Sequence, residues 1–230
     1  MPNLLDLFGG AGGAGEGYRR AGFTIIGIDI TPHPDYPGEH HVMDWAEGLA
    51  RFGDWADVIH ASPPCPRYSV ATPKAARDKH PDLVAPVREA LQATGKPYVI
   101  ENVPGSPLHD PVLYCGSSFF LRVRRHRLFE SNVPLAAPVC SHHTQPSPVV
   151  GVYGNHPDRP GGWKRPDGTS RGVKATSVED ASDALGIYHM TTWSDLADSI
   201  PPAYTMHIGA QLIDHLGDPK PRDLLSLLDA

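Results

Sequence analysis

The first thirty residues constrain the fold more than any other part of the chain, because two short apolar runs flank a glycine-rich turn. Residues 3–8 form the first run, and residues 23–29 form the second, which is rich in β-branched residues and too short for a helix. The turn at residues 9–13 leads into a predicted short helix through residues 16–20. Strand, helix and strand within this length predict a βαβ unit and a parallel sheet.

Further apolar runs extend the predicted sheet. Residues 57–61 and 97–101 are predicted strands, and residues 83–93 are a predicted helix that bends or breaks near Pro86. A strand candidate at 149–153 and helices at 177–185 and about 203–216 are predicted further along the chain.

We therefore expect an α/β fold: a Rossmann-like parallel-sheet domain formed by residues 1–130 and 191–230. Residues 131–190 are assigned to an insert. From about 131 to 175 the sequence is dense in Pro and Gly and loses apolar periodicity, which favours a small, loop-rich insert over a second full domain.

Bulk composition narrows the class of protein. The 230 residues contain no apolar stretch near the ~20 residues of a membrane span and no pattern of a signal peptide. Three scattered cysteines argue against a disulfide framework and for a reducing compartment. We expect a monomeric, cytoplasmic protein.

Charge is unevenly distributed. The chain carries a net charge of −6, yet residues 121–174 contain nine Lys and Arg and only three acidic residues. A basic segment beside an acidic body suits a surface that meets a polyanion, and a solvated basic loop explains it equally well.

The glycine-rich turn is followed by two acidic residues at predicted strand ends. The turn matches neither a P-loop nor a clean dinucleotide fingerprint. Asp29 ends the second strand, where a carboxylate can accept hydrogen bonds from ribose hydroxyls, and Asp44 follows where a third strand would end. Glycine turn, Asp29 and Asp44 in this order favour an adenosine-containing ligand without a pyrophosphate.

A thiol and a carboxyl group follow two of the predicted strands. Cys65 lies in a Ser-Pro-Pro-Cys turn, and Glu101-Asn102 ends a strand about forty residues later. Taken alone, Cys65 is also compatible with a protease or redox nucleophile. Together the two positions favour a covalent catalytic site.

A metal site is the other arrangement that the cysteines suggest. Cys115, Cys140, His142 and His143 have suitable side chains for zinc. The gap between the two cysteines is long and no Cys-x-x-Cys is present, so we predict a packed thiol, surface histidines and no metal.

With these features the chain resembles the DNA cytosine-5 methyltransferases. The similarity covers residues 3–129 and about 190–216, in the family's order. It rests on residues 6–13 (the first motif), Pro64-Cys65 with Ser69 (the nucleophile loop), Glu101-Asn102-Val103, Arg125-His126-Arg127 (the Arg-x-Arg motif) and Ser199-Ile200-Pro201-Pro202 (the last motif).

The resemblance implies S-adenosylmethionine as cofactor and double-stranded DNA as partner. Cys65 would attack C6 of a flipped cytosine, and Glu101 would bind N3 with a carboxyl group of raised pKa. Arg127 and Arg125 would fix O2 of the base and the nearby loop or phosphate, while Asn102 would brace the loop of Cys65. The residues expected at the cofactor are Phe8, Gly9, Gly10, Ala11, Gly13, Asp29, Ile30, Asp44, Trp45, Pro64, Asp198 and Ser199. The residues expected at DNA are Arg67, Ser69, Lys164, Arg165 and Arg171.

The chain departs from the family pattern at several positions. Val123 and Pro66 stand where the family has Gln, and Ala197-Asp198 stands where it has Gly-Asn. Four alternatives therefore remain: a methyltransferase acting on RNA cytosine, an enzyme that transfers another group from a related cofactor, a catalytically impaired DNA-binding relative, and a dinucleotide oxidoreductase that shares the βαβ opening.

Overall fold

The computed structural model describes residues 1–69, 72, 74–154 and 173–217. Its main sheet has seven strands: β1 Asn3–Leu7, β2 Thr24–Asp29, β3 Glu39–Val42, β4 Val58–Ala61, β5 Tyr98–Asn102, β6 Val112–Tyr114 and β7 Arg127–Ser131. The helices are α1 Gly13–Ala21, α2 Trp45–Phe52, α3 Lys74–Arg77, α4 Val84–Ala93, α5 Val178–Leu185, α6 Trp193–Asp198 and α7 Pro202–Leu216. Short 3-10 turns occur at Gly116–Phe119 and His142–Thr144.

The sheet has the strand order β3-β2-β1-β4-β5-β7-β6. Strands β1 to β5 are parallel, whereas β7 runs antiparallel to both β5 and β6. The order reverses direction beside β1, where β2 lies on one side and β4 on the other. The carboxyl ends of β1, β2, β4 and β5 therefore share one edge, which is where ligands bind in open α/β sheets. The expected α/β, Rossmann-like fold is confirmed.

The central strands are buried on both faces because helices cover the sheet on each side. Strand β4 is buried at all four positions and β5 at all five. Parallel strands covered in this way have continuous apolar runs, which is why their positions were predictable from the sequence.

Helices α1 and α7 pack closely against each other because a glycine lies where they cross. A Cβ atom on Gly17 would lie 2.0 Å from Thr205 Oγ1 and 2.2 Å from the Pro202 carbonyl oxygen. Thr205 Oγ1 donates a 2.8 Å hydrogen bond to the carbonyl of Ala14, across 191 positions of sequence. The last helix is thereby fixed against the first.

The predicted bend at Pro86 is wrong, since α4 is one continuous helix over Val84–Ala93. Pro86 is its third residue. The first four N–H groups of an α-helix have no partner within the helix, so a proline at this point removes no hydrogen bond.

The predicted insert packs more intimately with the sheet than its loop-rich sequence suggests. Val133 belongs to the main core, and Asn132 accepts a 2.8 Å hydrogen bond from the backbone N–H of Tyr98. The predicted boundary at residue 131 thus falls inside a segment that packs with the main sheet.

Farther along, β8 Val150–Gly151 and β9 Val173–Lys174 form a small parallel sheet. Val150 and α5 share a second apolar cluster with Ala11 and Val123 of the main domain. The predicted tail after Pro219 lies outside the described residues. Among the residues that are described, no helix has the length and apolarity needed to span a membrane.

Candidate active site

Cys65 lies in the loop that follows β4, at the carboxyl edge of the sheet. Its carbonyl accepts hydrogen bonds from the backbone N–H groups of Tyr68 at 3.0 Å and Ser69 at 2.9 Å, which fold the loop into a tight turn. Asn102, at the end of β5, donates a 2.9 Å hydrogen bond from Nδ2 to the carbonyl of Pro63. Asn102 is 1% exposed, so this contact braces the loop from beneath.

Glu101 is buried beside Arg127 from the neighbouring antiparallel strand. Arg127 Nε lies 2.9 Å from Glu101 Oε1. That oxygen has no well-directed hydrogen bond, so the contact is an ion pair held by proximity. Burial raises the pKa of Glu101, and the charges of Arg127 and Arg125 together with a hydrogen bond from Ser62 partly oppose this rise. The carboxyl group therefore holds a proton more readily than an exposed glutamic acid.

The thiol of Cys65 belongs to the same electrostatic neighbourhood. Burial raises its pKa most strongly, Arg127 lowers it, and Glu101 and Asp198 raise it further. Without a ligand the thiol is therefore predominantly protonated at neutral pH. The site brings a thiol, a carboxyl group able to carry a proton and a guanidinium to one edge of the sheet, a set of groups that can support covalent catalysis.

Arg125 links three parts of the chain through hydrogen bonds to backbone carbonyls. Its Nη1 donates to the carbonyl of Val152 at 2.7 Å, and its Nη2 donates to the carbonyl of Ala197 at 2.5 Å. The residue has a positive φ of 34°, and burial lowers the pKa of its guanidinium to about 9. Arg125 thereby links the insert to the segment that precedes the last motif.

A buried hydrogen-bonded chain that the sequence analysis missed supports Glu101. Tyr18 Oη lies 3.0 Å from His60 Nδ1, and His60 Nε2 lies 2.8 Å from Ser62 Oγ. Burial lowers the pKa of His60 to about 3, so its ring is neutral. With Ser62 donating to Glu101, His60 donates from Nε2 and accepts from Tyr18 at Nδ1. The sequence signal that could have revealed this chain is His60 itself, a polar residue inside an otherwise apolar predicted strand.

The glycine-rich turn forms the second half of the site. Phe8 adopts the left-handed conformation with a φ of 59°, and its ring stacks on Trp45 with centroids 6.0 Å apart. Gly10 has a φ of 50° and donates its N–H to Asp29 Oδ2 at 3.0 Å. The strained turn is therefore held to the end of β2.

The side chains around this turn fit an adenosine-containing ligand. Asp29 Oδ1 accepts from both the backbone N–H and the hydroxyl of Thr31, whereas Oδ2 accepts only from Gly10, which leaves a lone pair on Oδ2 for a ribose hydroxyl. Its side chain is 18% exposed and can be reached from solvent. Ile30, 72% exposed, offers an apolar surface beside it. Asp44 is exposed and caps α2 by accepting from the Ala46 N–H, so one of its oxygens is already used.

The last motif packs directly on the turn. A Cβ atom on Gly13 would lie 2.5 Å from the carbonyl oxygen of Ile200 and 2.8 Å from Ser199 Cβ. Ser199 is buried and donates to the carbonyl of Asp195 at 2.6 Å. Only glycine at position 13 allows this approach.

The other residues predicted near the cofactor lie around this contact. The carbonyl of Ala11 lies 3.2 Å from His189 Nε2, and Gly9 lies above the carboxylate of Asp6. Pro64 is exposed beside Cys65. Burial raises the pKa of Asp198, and the charges of Arg125 and Arg127 oppose it, so this carboxyl faces the arginines.

Asp6 is a buried carboxyl that the sequence analysis did not single out as a site residue. Tyr36 Oη donates to Asp6 Oδ2 at 2.8 Å, while Oδ1 is buried without a partner among the described residues. Burial raises the pKa of Asp6 to about 7. Because Gly9 and Gly15 both approach this side chain, Asp6 lies directly beneath the turn.

The residues predicted at DNA fall into two groups. Arg67 donates to the carbonyl of His80 at 3.1 Å, and its Nε lies 3.8 Å from Asp82, so it ties the Cys65 loop to the segment before α4. Ser69 closes the turn at Cys65. The other three residues lie outside the described part of the chain: Lys164, Arg165 and Arg171.

Comparisons with known proteins give one sequence relative and several similar folds. No protein-family model matches the chain. The type II methyltransferase M.NgoMIV of Neisseria gonorrhoeae is 33% identical over 116 residues, which cover 46% of this chain and 36% of that protein. This chain therefore matches about a third of the length of that relative.

Solved structures resemble the chain over almost its full length. A protein described as a DNA modification methyltransferase, encoded within a prophage of E. coli, has a TM-score of 0.63 at 15% identity and covers 95% of this chain and 100% of its own. The Entamoeba histolytica methyltransferase EhMeth has a TM-score of 0.61 at 15% identity, covering 95% and 99%. The S. pombe Dnmt2 methyltransferase has a TM-score of 0.57 at 12% identity, covering 94% and 99%.

The fold is thus that of the methyltransferases. The similarity to methyltransferases expected from the sequence motifs is confirmed by these matches. The reaction and the substrate are inferred from the site itself.

Proposed function

We propose that this protein uses S-adenosylmethionine to methylate C5 of cytosine in DNA, through a covalent bond between Cys65 Sγ and C6 of a flipped base. The observation that carries the proposal is the convergence of Cys65, Glu101 and Arg127 at one sheet edge, with Arg127 Nε 2.9 Å from Glu101. The glycine-rich turn and Asp29 at the same edge support an adenosine-containing cofactor. The methyltransferases among its relatives support the class of reaction.

The chemistry begins with the base. C5 of cytosine is a poor nucleophile, so a bond from a thiolate to C6 is needed to make C5 electron-rich. Cys65 loses its proton to solvent and forms the S–C6 bond, while Glu101 donates its proton or a hydrogen bond to N3 and draws electron density from the ring. Arg127 forms an ion pair with Glu101, and we assign its guanidinium to O2 of the base.

When bound, S-adenosylmethionine would supply a methyl group activated by its bond to a positively charged sulfur, and that sulfur would leave as a neutral thioether. After methyl transfer the proton on C5 is lost to solvent, and its electron pair expels the Cys65 thiolate, which regains a proton. Asn102 keeps the loop of Cys65 in place throughout by its hydrogen bond to Pro63. The cofactor would be held by the turn from Phe8 to Gly13 and by Asp29.

The DNA partner is supported by the reactive position and by charge. C6 of a cytosine is inaccessible inside a duplex, and extrusion of the base costs a few kcal/mol, which contacts to the backbone must offset. The basic segment between residues 121 and 174 is suited to such contacts, and we assign Lys164, Arg165 and Arg171 to them.

Activity and sequence context are tested together by bisulfite sequencing of a plasmid from cells that express the protein. We expect protected cytosines in a fixed sequence context with the wild type and none with Cys65→Ser. Purified protein should transfer labelled methyl groups from S-adenosylmethionine to DNA in preference to RNA. Transfer to RNA alone would replace the proposed substrate, and transfer to neither would refute the enzymatic function.

The role of Glu101 is tested by an isosteric change with a matched control. Glu101→Gln should lower the single-turnover methylation rate by about 10²- to 10⁴-fold, because the amide can donate a hydrogen bond to N3 but cannot transfer a proton to it. Glu89→Gln, at an exposed position on α4, is the control and should leave the rate unchanged. Equal rates for both variants would remove Glu101 from the mechanism.

A further inference from the structure

Two cysteines and two histidines from separate parts of the chain meet in one cluster, and one of the histidines, His126, belongs to the Arg-x-Arg motif. Cys115, His126, Cys140 and His142 each offer one sulfur or nitrogen atom, and these four atoms all lie within 4.8 Å of one another. We refer to these four residues as the Cys2His2 cluster. His143, which the sequence also suggested, lies outside it and contacts Ser141.

The chain brings these residues together because the segment before His142 is pinned to the 3-10 turn at Gly116–Phe119. Ser118 Oγ donates to the carbonyl of Val139 at 2.9 Å, and the N–H of Ser141 donates to Ser117 Oγ at 3.0 Å. The long sequence gap between the cysteines, which argued against a metal site, is therefore closed by tertiary contacts.

The distances within the cluster are those of ligands around one tetrahedral ion. Cys140 Sγ lies 3.1 Å from His142 Nε2 and 3.7 Å from His126 Nε2, and Cys115 Sγ lies 3.4 Å from His142 Nε2. Zinc bonds of about 2.3 Å to sulfur and about 2.0–2.1 Å to nitrogen, at tetrahedral angles, separate a sulfur from a nitrogen ligand by about 3.5 Å. The observed separations bracket this value.

The outer contacts of the cluster also suit thiolate ligands. Ser117 Oγ donates to Cys115 Sγ at 3.1 Å and lies 3.8 Å from Cys140 Sγ. Ser117 is 2% exposed, so this hydroxyl is committed to the sulfur atoms. Hydrogen bonds of this kind orient metal ligands and stabilise their charge.

We propose that the Cys2His2 cluster binds one structural Zn²⁺ ion. Two thiolates and two imidazoles form a closed tetrahedral ligand set. Such a set binds zinc in preference to magnesium or calcium, which take oxygen ligands. The set contributes four protein ligands and leaves no open position for substrate, so the role is structural.

A zinc ion at this position would also affect the candidate active site. His126 lies between Arg125 and Arg127 in the sequence, and its ring stacks on His142 with centroids 5.4 Å apart. A zinc ion bound to His126 would therefore fix the backbone that carries Arg127 into the candidate active site. Metal binding itself is independent of the reaction proposed for that site.

The test measures metal content in protein purified without a polyhistidine tag from zinc-supplemented cells. We expect one zinc per wild-type chain by plasma mass spectrometry, retained on dialysis without chelator. Cys140→Ser and His142→Ala should reduce the zinc to background. His143→Ala, the adjacent control, should keep it, and His142→Cys should also keep it because a Cys3His set is an equally good zinc ligand.

Two further measurements cover variants that fold poorly. Wild-type protein stripped with a chelator should show a higher melting temperature on addition of zinc alone, and cobalt should give the visible absorption of a tetrahedral thiolate complex. Ser117→Ala should weaken zinc binding by about 10- to 100-fold without abolishing it.

Wild-type protein without zinc, or zinc retained by both Cys140→Ser and His142→Ala, would overturn the proposal. A Cys115–Cys140 disulfide in protein purified without reductant and holding no metal would also overturn it.

Discussion

Asp6 and His60 are paired across strands β1 and β4, and their protonation should drive the stability of the fold in opposite directions. Both side chains are fully buried. Burial raises the pKa of Asp6 from its ordinary 3.8 to about 7 and lowers that of His60 from 6.5 to about 3. Folding therefore keeps a proton on Asp6 and keeps one off His60.

The two groups have opposite signs of linkage. Between about pH 6.5 and 3 the unfolded chain protonates His60 and the folded chain does not, so stability falls as the pH is lowered. Between about pH 7 and 3.8 the folded chain protonates Asp6 and the unfolded chain does not, so stability rises as the pH is lowered. Each full proton difference changes the free energy of unfolding by about 1.4 kcal/mol per pH unit.

From pH 6.5 to 4.5 each contribution amounts to about 2 kcal/mol, and in the wild type the two nearly cancel. His60→Gln leaves Asp6 unopposed, so its free energy of unfolding should gain about 2 kcal/mol relative to the wild type over this interval. Asp6→Asn leaves His60 unopposed and should lose a similar amount.

Guanidinium unfolding at several pH values measures these differences, and subtraction of the wild-type curve removes the other titrating groups. The assigned protonation states would be refuted if the difference in unfolding free energy between variant and wild type changed with pH in the same direction for both variants, or did not change with pH for either. As a control, the unfolding free energy of both variants should fall with guanidinium concentration at the same slope as that of the wild type, which shows that all three unfold in the same way.

Two further predictions concern packing. Gly17→Ala should destabilise the protein by about 1–3 kcal/mol, because the new methyl group would collide with the backbone and Thr205 of α7. Gly95→Ala, with open space around it, should cost only the ~1 kcal/mol of its left-handed φ. Thermal unfolding compares the two variants, and equal losses of stability would contradict the close crossing of α1 and α7. Arg88 forms a buried two-point ion pair with Glu130, at 2.6 and 2.7 Å, so Arg88→Met should cost about 3–5 kcal/mol, while a double change of both residues to Met should recover much of it; a double variant as unstable as the sum of the single ones would contradict this.

The strands that the sequence predicted are those whose side chains are buried on both faces of the sheet. Strands β1, β2, β4 and β5 were predictable because burial on both faces produces continuous apolar runs. Strands β6 and β7 were not predicted, since β7 has only two apolar residues, Leu128 and Phe129, and buries the charged Glu130 beside them. Helix α2 was missed although its N-cap, Asp44, had been noticed as a ligand candidate.

The candidate site shows the same division. Glu101 and Cys65 were recognisable because strand ends and motifs are local in sequence. His60 and Ser62 were not, because their hydrogen-bonded chain to Glu101 depends on the packing of α1 against β4. The Cys2His2 cluster required a loop to close over a distant turn, and spacing alone argued against it.

The contact between Ala14 and Thr205 also sets the order in which the protein becomes competent during its synthesis. The glycine-rich turn emerges from the ribosome early. The segment that packs against it and α1, Ser199 to Thr205, is translated nearly two hundred codons later. The contact cannot form before both segments have been synthesised, and the loop-closure entropy of contacts so distant in sequence makes their formation slow. A chain stopped before Ser199 would hold Cys65 and Glu101 yet have an open turn, so we expect nascent or truncated copies to be unable to modify their substrate.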